Sequence, residues 1–147
     1  MKEIFIKSYK ELTKKELYNI LKLRSEVFVV EQNCVYQDID SKDQKAYHVF
    51  LKIGEQIKGY TRIFKSGDYF EYSSIGRVVV SKKERKRNNG SELILASIRA
   101  IEEKFNERKI KISAQKHLEK FYNTFGFISV GKDYLEDGIP HIAMVKN

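Results

Sequence analysis

The chain has little of what staples, kinks or anchors a protein. Its single cysteine, Cys34, excludes an internal disulfide, and no cysteine–histidine cluster has zinc spacing. Tryptophan is absent and Pro140 is the only proline, so no segment reads as a proline-rich linker. No apolar run nears the roughly 18–20 residues that a bilayer span requires. The opening residues, MKEIFIKSYKE, hold one short apolar patch and an early acid, which is not the pattern of a signal peptide. These absences point to a reducing, cytoplasmic setting with no membrane partner and no metal.

What is present suits one domain, residues 1–147, because a chain of this length closes around one hydrophobic core. Residues are 41% hydrophobic and 33% charged, as in a soluble globular protein. A net charge of +8 attracts polyanions: nucleic acid, an anionic surface or a phosphorylated small molecule. Most basic residues are scattered, which a general abundance of lysine explains equally well. The one dense cluster is Lys82, Lys83, Arg85, Lys86 and Arg87.

Periodicity divides the chain into alternating elements. Residues 3–7 alternate as an edge strand does. Thr13 and Glu16 form a capping-box signature, and Leu17, Ile20, Leu21, Val27 and Phe28 continue from it as a helical stripe. Residues 29–46 lose that period and read as a second short helix or a structured loop. Strands are expected over 47–53, 56–65 and 69–80, joined by turns at Gly54-Glu55 and Ser66-Gly67-Asp68. Ile94, Ile98, Ile101 and Phe105 mark a helix, and Ile110, Ile112 and Ala114 a strand. Leu118, Phe121, Tyr122 and Phe125 stripe a further helix that Gly126 ends. Strands over 127–134 and 141–146 close the chain across Asp137-Gly138. The order predicts an α/β (α+β mixed) fold, with helices covering a mixed sheet.

The stretch IGRVVVSKKERKRNNGSELIL runs from a strand through a basic loop into a helix. Unpaired N–H groups at a helix N-terminus bind anions, and basic side chains strengthen such a site for phosphate. Asn88 and Asn89 tolerate the positive φ that a tight turn there requires. By residues alone the segment is either a phosphate cradle or a solvated basic loop.

The same segment, read as Arg85-Lys86-Arg87-Asn88-Asn89-Gly90, resembles the acetyl-CoA motif of the GCN5-related N-acetyltransferase (GNAT) family. Asn88 stands at the family's first loop glycine, and Lys86 holds a position where glycine is also common. Phe121-Tyr122-Asn123-Thr124-Phe125-Gly126-Phe127 resembles the family's Tyr-x-x-x-Gly-Phe helix end. LKLRSEVFVVEQNCVYQDID, IGRVVVS, SAQKHLEKFYNTFGFISVG and EDGIPHIAM, in that order, are similar to the ElaA-like branch over nearly the whole chain.

The resemblance implies a GNAT fold: a mostly antiparallel, splayed sheet of about seven strands with about four flanking helices. It implies direct transfer of an acetyl group from acetyl-CoA to an amine acceptor, by a monomer or homodimer. Backbone of Val78, Val79 and Val80 would pair with the pantetheine arm, while N–H groups of Arg85, Lys86, Arg87, Asn88, Asn89, Gly90 and Ser91 would hold the pyrophosphate. Tyr122 would protonate the departing thiolate; its stripe position is equally that of a core aromatic. For the base, Glu31 and His141 are the candidates. Arg24, Gln32, Tyr36, Asp38, Asp40 and Arg77 would face the acceptor. Arg24 and Glu31 continue the buried stripe, where a charge is either paired or functional. Asp38, Asp40 and Asp43 point to a cationic acceptor or are simply solvated loop acids. Two other readings stand beside this one: a non-catalytic acyl-CoA-binding protein, and a nucleic-acid-binding module. Against the second, aromatics fall on apolar stripes and do not interleave with the basic residues.

Overall fold

The computed structural model describes residues 1–147. Seven strands and three α-helices follow in the order β1 (Lys2–Ser8), α1 (Lys14–Arg24), β2 (Tyr47–Ile53), β3 (Gln56–Phe64), β4 (Ser73–Val80), α2 (Asn89–Phe105), β5 (Ile110–Gln115), α3 (Glu119–Asn123), β6 (Ile128–Glu136) and β7 (Ile139–Lys146). They build one sheet in the order β1-β2-β3-β4-β5-β7-β6. All neighbours are antiparallel except β4 and β5. A parallel pair needs a crossover, and α2 supplies it.

Local chemistry accounts for the element ends. Thr13 Oγ1 accepts from Glu16 N–H at 3.0 Å and Glu16 Oε1 accepts from Thr13 N–H at 2.9 Å, which starts α1. The helix does not stop at Arg24. It widens into a π-helical stretch, Ser25–Glu31, with Gln32 N–H donating to Val27 O at 3.0 Å and Cys34 N–H to Val29 O at 3.1 Å. The expected fourth helix is therefore an extension of the first, followed by a loop with one 3-10 turn at Asp43–Lys45. Asp137 (φ 51°) and Gly138 (φ 77°) both take positive φ in the two-residue β6–β7 turn, as a tight hairpin requires.

Two apolar clusters sandwich the sheet. Ile20, Leu23, Val27 and Phe28 pack on Phe50, Ile57, Tyr60 and Val79. On the other face Leu93, Ile94, Ala100 and Ile101 of α2 share one cluster with Val49, Leu51, Ile63 and Ile75, which continues into Ile110, Ile112 and Met144. β4 starts at Ser73 and not at 69, because Tyr69 leaves the sheet to stack on Phe64 at 5.2 Å between ring centroids.

Two irregularities open the sheet. β4 and β5 pair only through Ser73↔Ile110 and Ser74↔Lys111. In β4 the partners Tyr60↔Val79 and Arg62↔Gly76 leave Arg77 and Val78 together opposite Thr61. This is a β-bulge, with Arg77 at φ 50° although it is not glycine. Bulges bend the strand that carries them, and beyond Ser74 β4 and β5 diverge.

Candidate active site in the splayed sheet

The divergence leaves an open cleft that encloses about 930 Å³, the solvent in its mouth included. The π-helical stretch and its following loop supply Phe28, Gln32 and Tyr36. Ile75, Gly76, Arg77 and Val78 come from β4, Ser113 and Gln115 from β5, Tyr122 from α3, and Glu136 and His141 from the last hairpin.

One wall is an unpaired strand edge. Ser81 N–H donates to Lys58 O at 2.8 Å, so Ser81 and, two residues earlier, Val79 direct their main chain toward β3. Val78 and Val80, alternating with them, direct theirs to the free edge. Arg85 Nε donates to Val80 O at 2.9 Å, so that carbonyl already has a partner. At the end of this edge the basic loop turns into α2. Lys86 (φ 64°) and Asn88 (φ 63°) both adopt the left-handed conformation. Asn89 turns its amide inward, Nδ2 donating to Glu84 O at 2.9 Å and Oδ1 accepting from Lys2 Nζ at 3.2 Å. The first N–H to find a helical acceptor is that of Glu92, on Asn88 O. Those of Asn89, Gly90 and Ser91 therefore form an open donor array at the positive end of a seventeen-residue helix. A Cβ on Gly90 would meet only Phe121 Cζ at 3.7 Å and Val80 Cγ2 at 4.0 Å, so the fold itself does not require glycine there.

Facing the strand edge, Tyr122 is 5% exposed and lines the cleft. Burial pushes its phenol up from the ordinary value, and no hydrogen bond contributes, so the hydroxyl stays protonated with no protein acceptor. His141 lies across the cleft on β7, its Nδ1 2.7 Å from Ile139 O and its Nε2 3.5 Å from Glu136 Oε2.

The family model for the acetyltransferase (GNAT) domain matches residues 8–147. The chain belongs to the GNAT family. Protein ElaA of Escherichia coli (strain K12) is 41% identical over 140 residues, covering 94% of this chain and 92% of that one. Among solved structures, an acyl-CoA N-acyltransferase from Pseudomonas aeruginosa superposes with a TM-score of 0.95 at 37% identity, and Escherichia coli ElaA with 0.93 at 40%; both alignments cover all of each chain. The protein is thus an ElaA-like GNAT acyltransferase, and the unpaired β4 edge with its donor array lies in the fold of an acyl-CoA-using enzyme.

The residues expected to face the acceptor divide into two groups. Gln32, Tyr36 and Arg77 line the cleft. Arg24 does not: it is fully buried, with Nε 2.9 Å from Asp38 and Nη1 2.7 Å from Asp43. Arg62 grips Asp40 through two hydrogen bonds of 2.8 and 2.9 Å and reaches Asp43 at 3.0 Å. Arg77 contacts Asp38 at 2.7 Å and Asp40 at 3.4 Å. Burial pushes the Asp40 carboxyl up, but the Arg62 guanidinium overrides it and holds the group at about 2. Three acids thus face three arginines, and the loop carries no spare negative charge. The expectation that Asp38, Asp40 and Asp43 attract a cationic acceptor loses its electrostatic basis. Their ion pairs instead pin the loop and the strained Arg77 to the sheet.

Glu31 is likewise spoken for. Its carboxylate receives Arg85 Nη1 and Nη2 at 2.6 and 2.9 Å, and that hydrogen bonding holds it below the ordinary carboxylate range. It does not line the cleft. A depressed, doubly bonded carboxylate is a poor proton acceptor; Glu31 links α1's extension to the basic loop before α2, and of the two expected bases only His141 lines the cleft.

Three residues of the same machinery escaped the sequence reading: His48, Tyr60 and Arg62. His48 Nδ1 accepts from Tyr60 Oη at 2.5 Å while Nε2 donates to Asp43 O at 3.0 Å. A signal existed for Arg62. It shares a strand face with Tyr60 and Phe64, both apolar-facing, so a charge there calls for partners.

Proposed function

We propose that the protein transfers an acetyl group from acetyl-CoA to a primary amine. The observation that carries this reading is an unpaired β4 edge and a buried protonated tyrosine bordering one cleft, with an open donor array at α2 beyond the end of that edge, where Gly90 lies next to Val80 and Phe121. Main-chain groups of Val78 and the N–H of Val80 suit a pantetheine arm laid along the edge as an added strand. N–H groups at Asn89, Gly90 and Ser91 suit the pyrophosphate, with Lys82, Lys83 and Lys86 nearby to screen its charge. The bulged residues Arg77 and Val78 line the cleft, and a backbone N–H of this stretch would polarise the thioester carbonyl.

The amine nitrogen forms a bond to the carbonyl carbon as the carbon–sulfur bond breaks. Tyr122 gives its phenolic proton to the departing sulfur, and His141 Nε2 takes the proton that the amine loses. His141 then releases that proton to solvent and Tyr122 regains one from it, so atoms and charge balance. Phe28, Tyr36 and Tyr122 exclude water from the thioester, which would otherwise hydrolyse it. No helix is long and apolar enough to cross a membrane, and we place the activity in the cytoplasm, where acetyl-CoA and a free thiol at Cys34 coexist.

The test is calorimetric titration with acetyl-CoA, CoA and a duplex oligonucleotide, followed by thiol-release assays over a panel of amines. Saturable binding of acetyl-CoA with amine-dependent CoA release supports the reading. Binding of the oligonucleotide but not of CoA refutes it, and acetyl-CoA binding with no turnover over the panel would leave a carrier of acyl-CoA.

A further inference from the structure

A small polar cluster beside His141 has no role in the fold that its position explains. β6 is the outer strand of the sheet, and most of its side chains face water. Yet four side chains turn toward one another here, and three of them, Ser113, Glu136 and His141, line the cleft. Tyr134 and His141 are cross-strand partners, and their rings stack at 6.2 Å with 25° between planes. Tyr134 Oη hydrogen-bonds Ser113 Oγ, and Ser113 Oγ in turn donates to Glu136 Oε1 at 3.3 Å. The other oxygen of Glu136 lies 3.5 Å from His141 Nε2.

The proton inventory of this cluster is incomplete in a telling way. Ile139 O can only accept, so the 2.7 Å contact places the ring proton of neutral His141 on Nδ1. Nε2 then presents a lone pair to a carboxylate oxygen, acceptor against acceptor. The arrangement becomes complementary only when Nε2 receives a proton, which is the state created when an attacking amine gives one up. Favouring that state over the resting one is what catalysis requires. Ring rotation is not free to relieve the mismatch, since Tyr134 covers one face and the Ile139 carbonyl holds the far nitrogen. The other polar groups near the ring are Asp137, whose carbonyl accepts from Cys34 Sγ at 3.4 Å, and Gln115, opposite His141 in β5.

We propose that Glu136 is the positioning residue for His141: it stabilises the protonated imidazole at Nε2, with Ser113 and Tyr134 holding the carboxylate and the ring. The inference rests on the acyltransferase reading, in which His141 takes the amine proton. Glu136, which lines the cleft beside His141, takes no proton itself and acts through the histidine.

A double-mutant cycle tests it, with acetyl-CoA as donor and spermidine, 2-phenylethylamine or a lysine-containing peptide, whichever the wild type acetylates fastest, as acceptor. Glu136→Gln is expected to lower kcat roughly tenfold, a fraction of what a general base contributes, with the KM for acetyl-CoA within twofold. Glu136→Asp should recover part of the loss. On a His141→Gln background the Glu136→Gln change should cost nothing further, since a residue acting through His141 has nothing left to act on. An equal loss on both backgrounds overturns the proposal, as does an unchanged kcat in the single variant. Long-range ¹H–¹⁵N correlation spectra give a readout that needs no acceptor: neutral His141 should carry its proton on Nδ1, and an Nε2–H tautomer overturns the proposal. Failure of the wild type to bind acetyl-CoA in calorimetry would instead refute the acyltransferase reading, and the tautomer experiment separates that outcome from this one.

Discussion

Replacing Tyr122 by phenylalanine separates chemistry from packing. The ring would keep its edge-on contacts with Phe121 and Phe127, at 5.2 and 6.1 Å between centroids. Only the hydroxyl goes, and it has no protein acceptor to lose. A typical net hydrogen bond is worth about 1 kcal/mol, so a hydroxyl without one should change stability by less than about 0.5 kcal/mol. If the hydroxyl protonates the leaving thiolate, turnover falls by the roughly 10²–10⁴-fold that a general acid supplies. That is about 2.7–5.4 kcal/mol on the barrier at 1.36 kcal/mol per tenfold. The assay pairs steady-state thiol release with calorimetric acetyl-CoA affinity and a thermal melt of each protein. A drop in kcat with unchanged affinity and melting temperature is expected. A fall of less than threefold, or a parallel loss of affinity and stability, would show that Tyr122 is a core aromatic and no acid.

Three further outcomes follow from the geometry. Gly90→Val should fold normally, given the 3.7 and 4.0 Å clearances, but weaken acetyl-CoA binding at least tenfold in calorimetry by keeping phosphate off the backbone; unchanged affinity would refute the loop assignment. Arg24→Met strands Asp38 and Asp43 without their buried partner and should cost about 3–5 kcal/mol in urea unfolding, and a cost under about 1 kcal/mol would mean that Arg62 and Arg77 suffice. Burial holds His48 down to about 4 from an ordinary value near 6.5. The unfolded chain therefore binds the proton first, and the neutral-histidine contribution is complete above about 6.5 and is lost as pH falls toward 4, by on the order of 3 kcal/mol. Urea midpoints of wild type and His48→Gln at pH 7 and 5 check the sign, and equal pH dependence in both proteins would exclude His48 as its source.

The elements were legible wherever periodicity and turn residues agreed. Gly54, Gly67 and Asp137-Gly138 placed the hairpins, and Thr13 with Glu16 placed the start of α1. The π-helical stretch was hidden because Val27 and Phe28 keep nearly the spacing of the preceding stripe; an i→i−5 ladder leaves no mark on residue type. β4's start was misjudged because Tyr69 and Phe70 are strand-favouring residues used here for stacking. Loop residues near the site could be named from their segment, but their roles could not. Asp38, Asp40 and Asp43 look alike in sequence, and only the arginines arriving from α1, β3 and β4 show that their charges are spent. Glu136 passed unnoticed for the opposite reason: on an exposed edge strand a glutamate is ordinary until the fold sets its carboxylate 3.5 Å from His141 Nε2.

The two pairs of residues that tie β4 to β5 make a hem that is short for a seven-stranded sheet. One apolar cluster nevertheless runs behind both halves: Val49, Leu51 and Ile63 share it with Ile110, Ile112 and Met144, with Leu93, Ile94 and Ile101 of α2 packed chiefly on the β1–β4 half. The molecule behaves as two leaves bound along one spine, and this continuous apolar cluster is the spine. The aperture between the leaves is then set from behind, by the volume of side chains that no substrate touches. Trimming or enlarging Ile94 or Ile101 would alter how far apart Tyr122 and the edge at Val78 stand, so the reach of the reaction can be tuned in the hydrophobic core without altering any group that performs it.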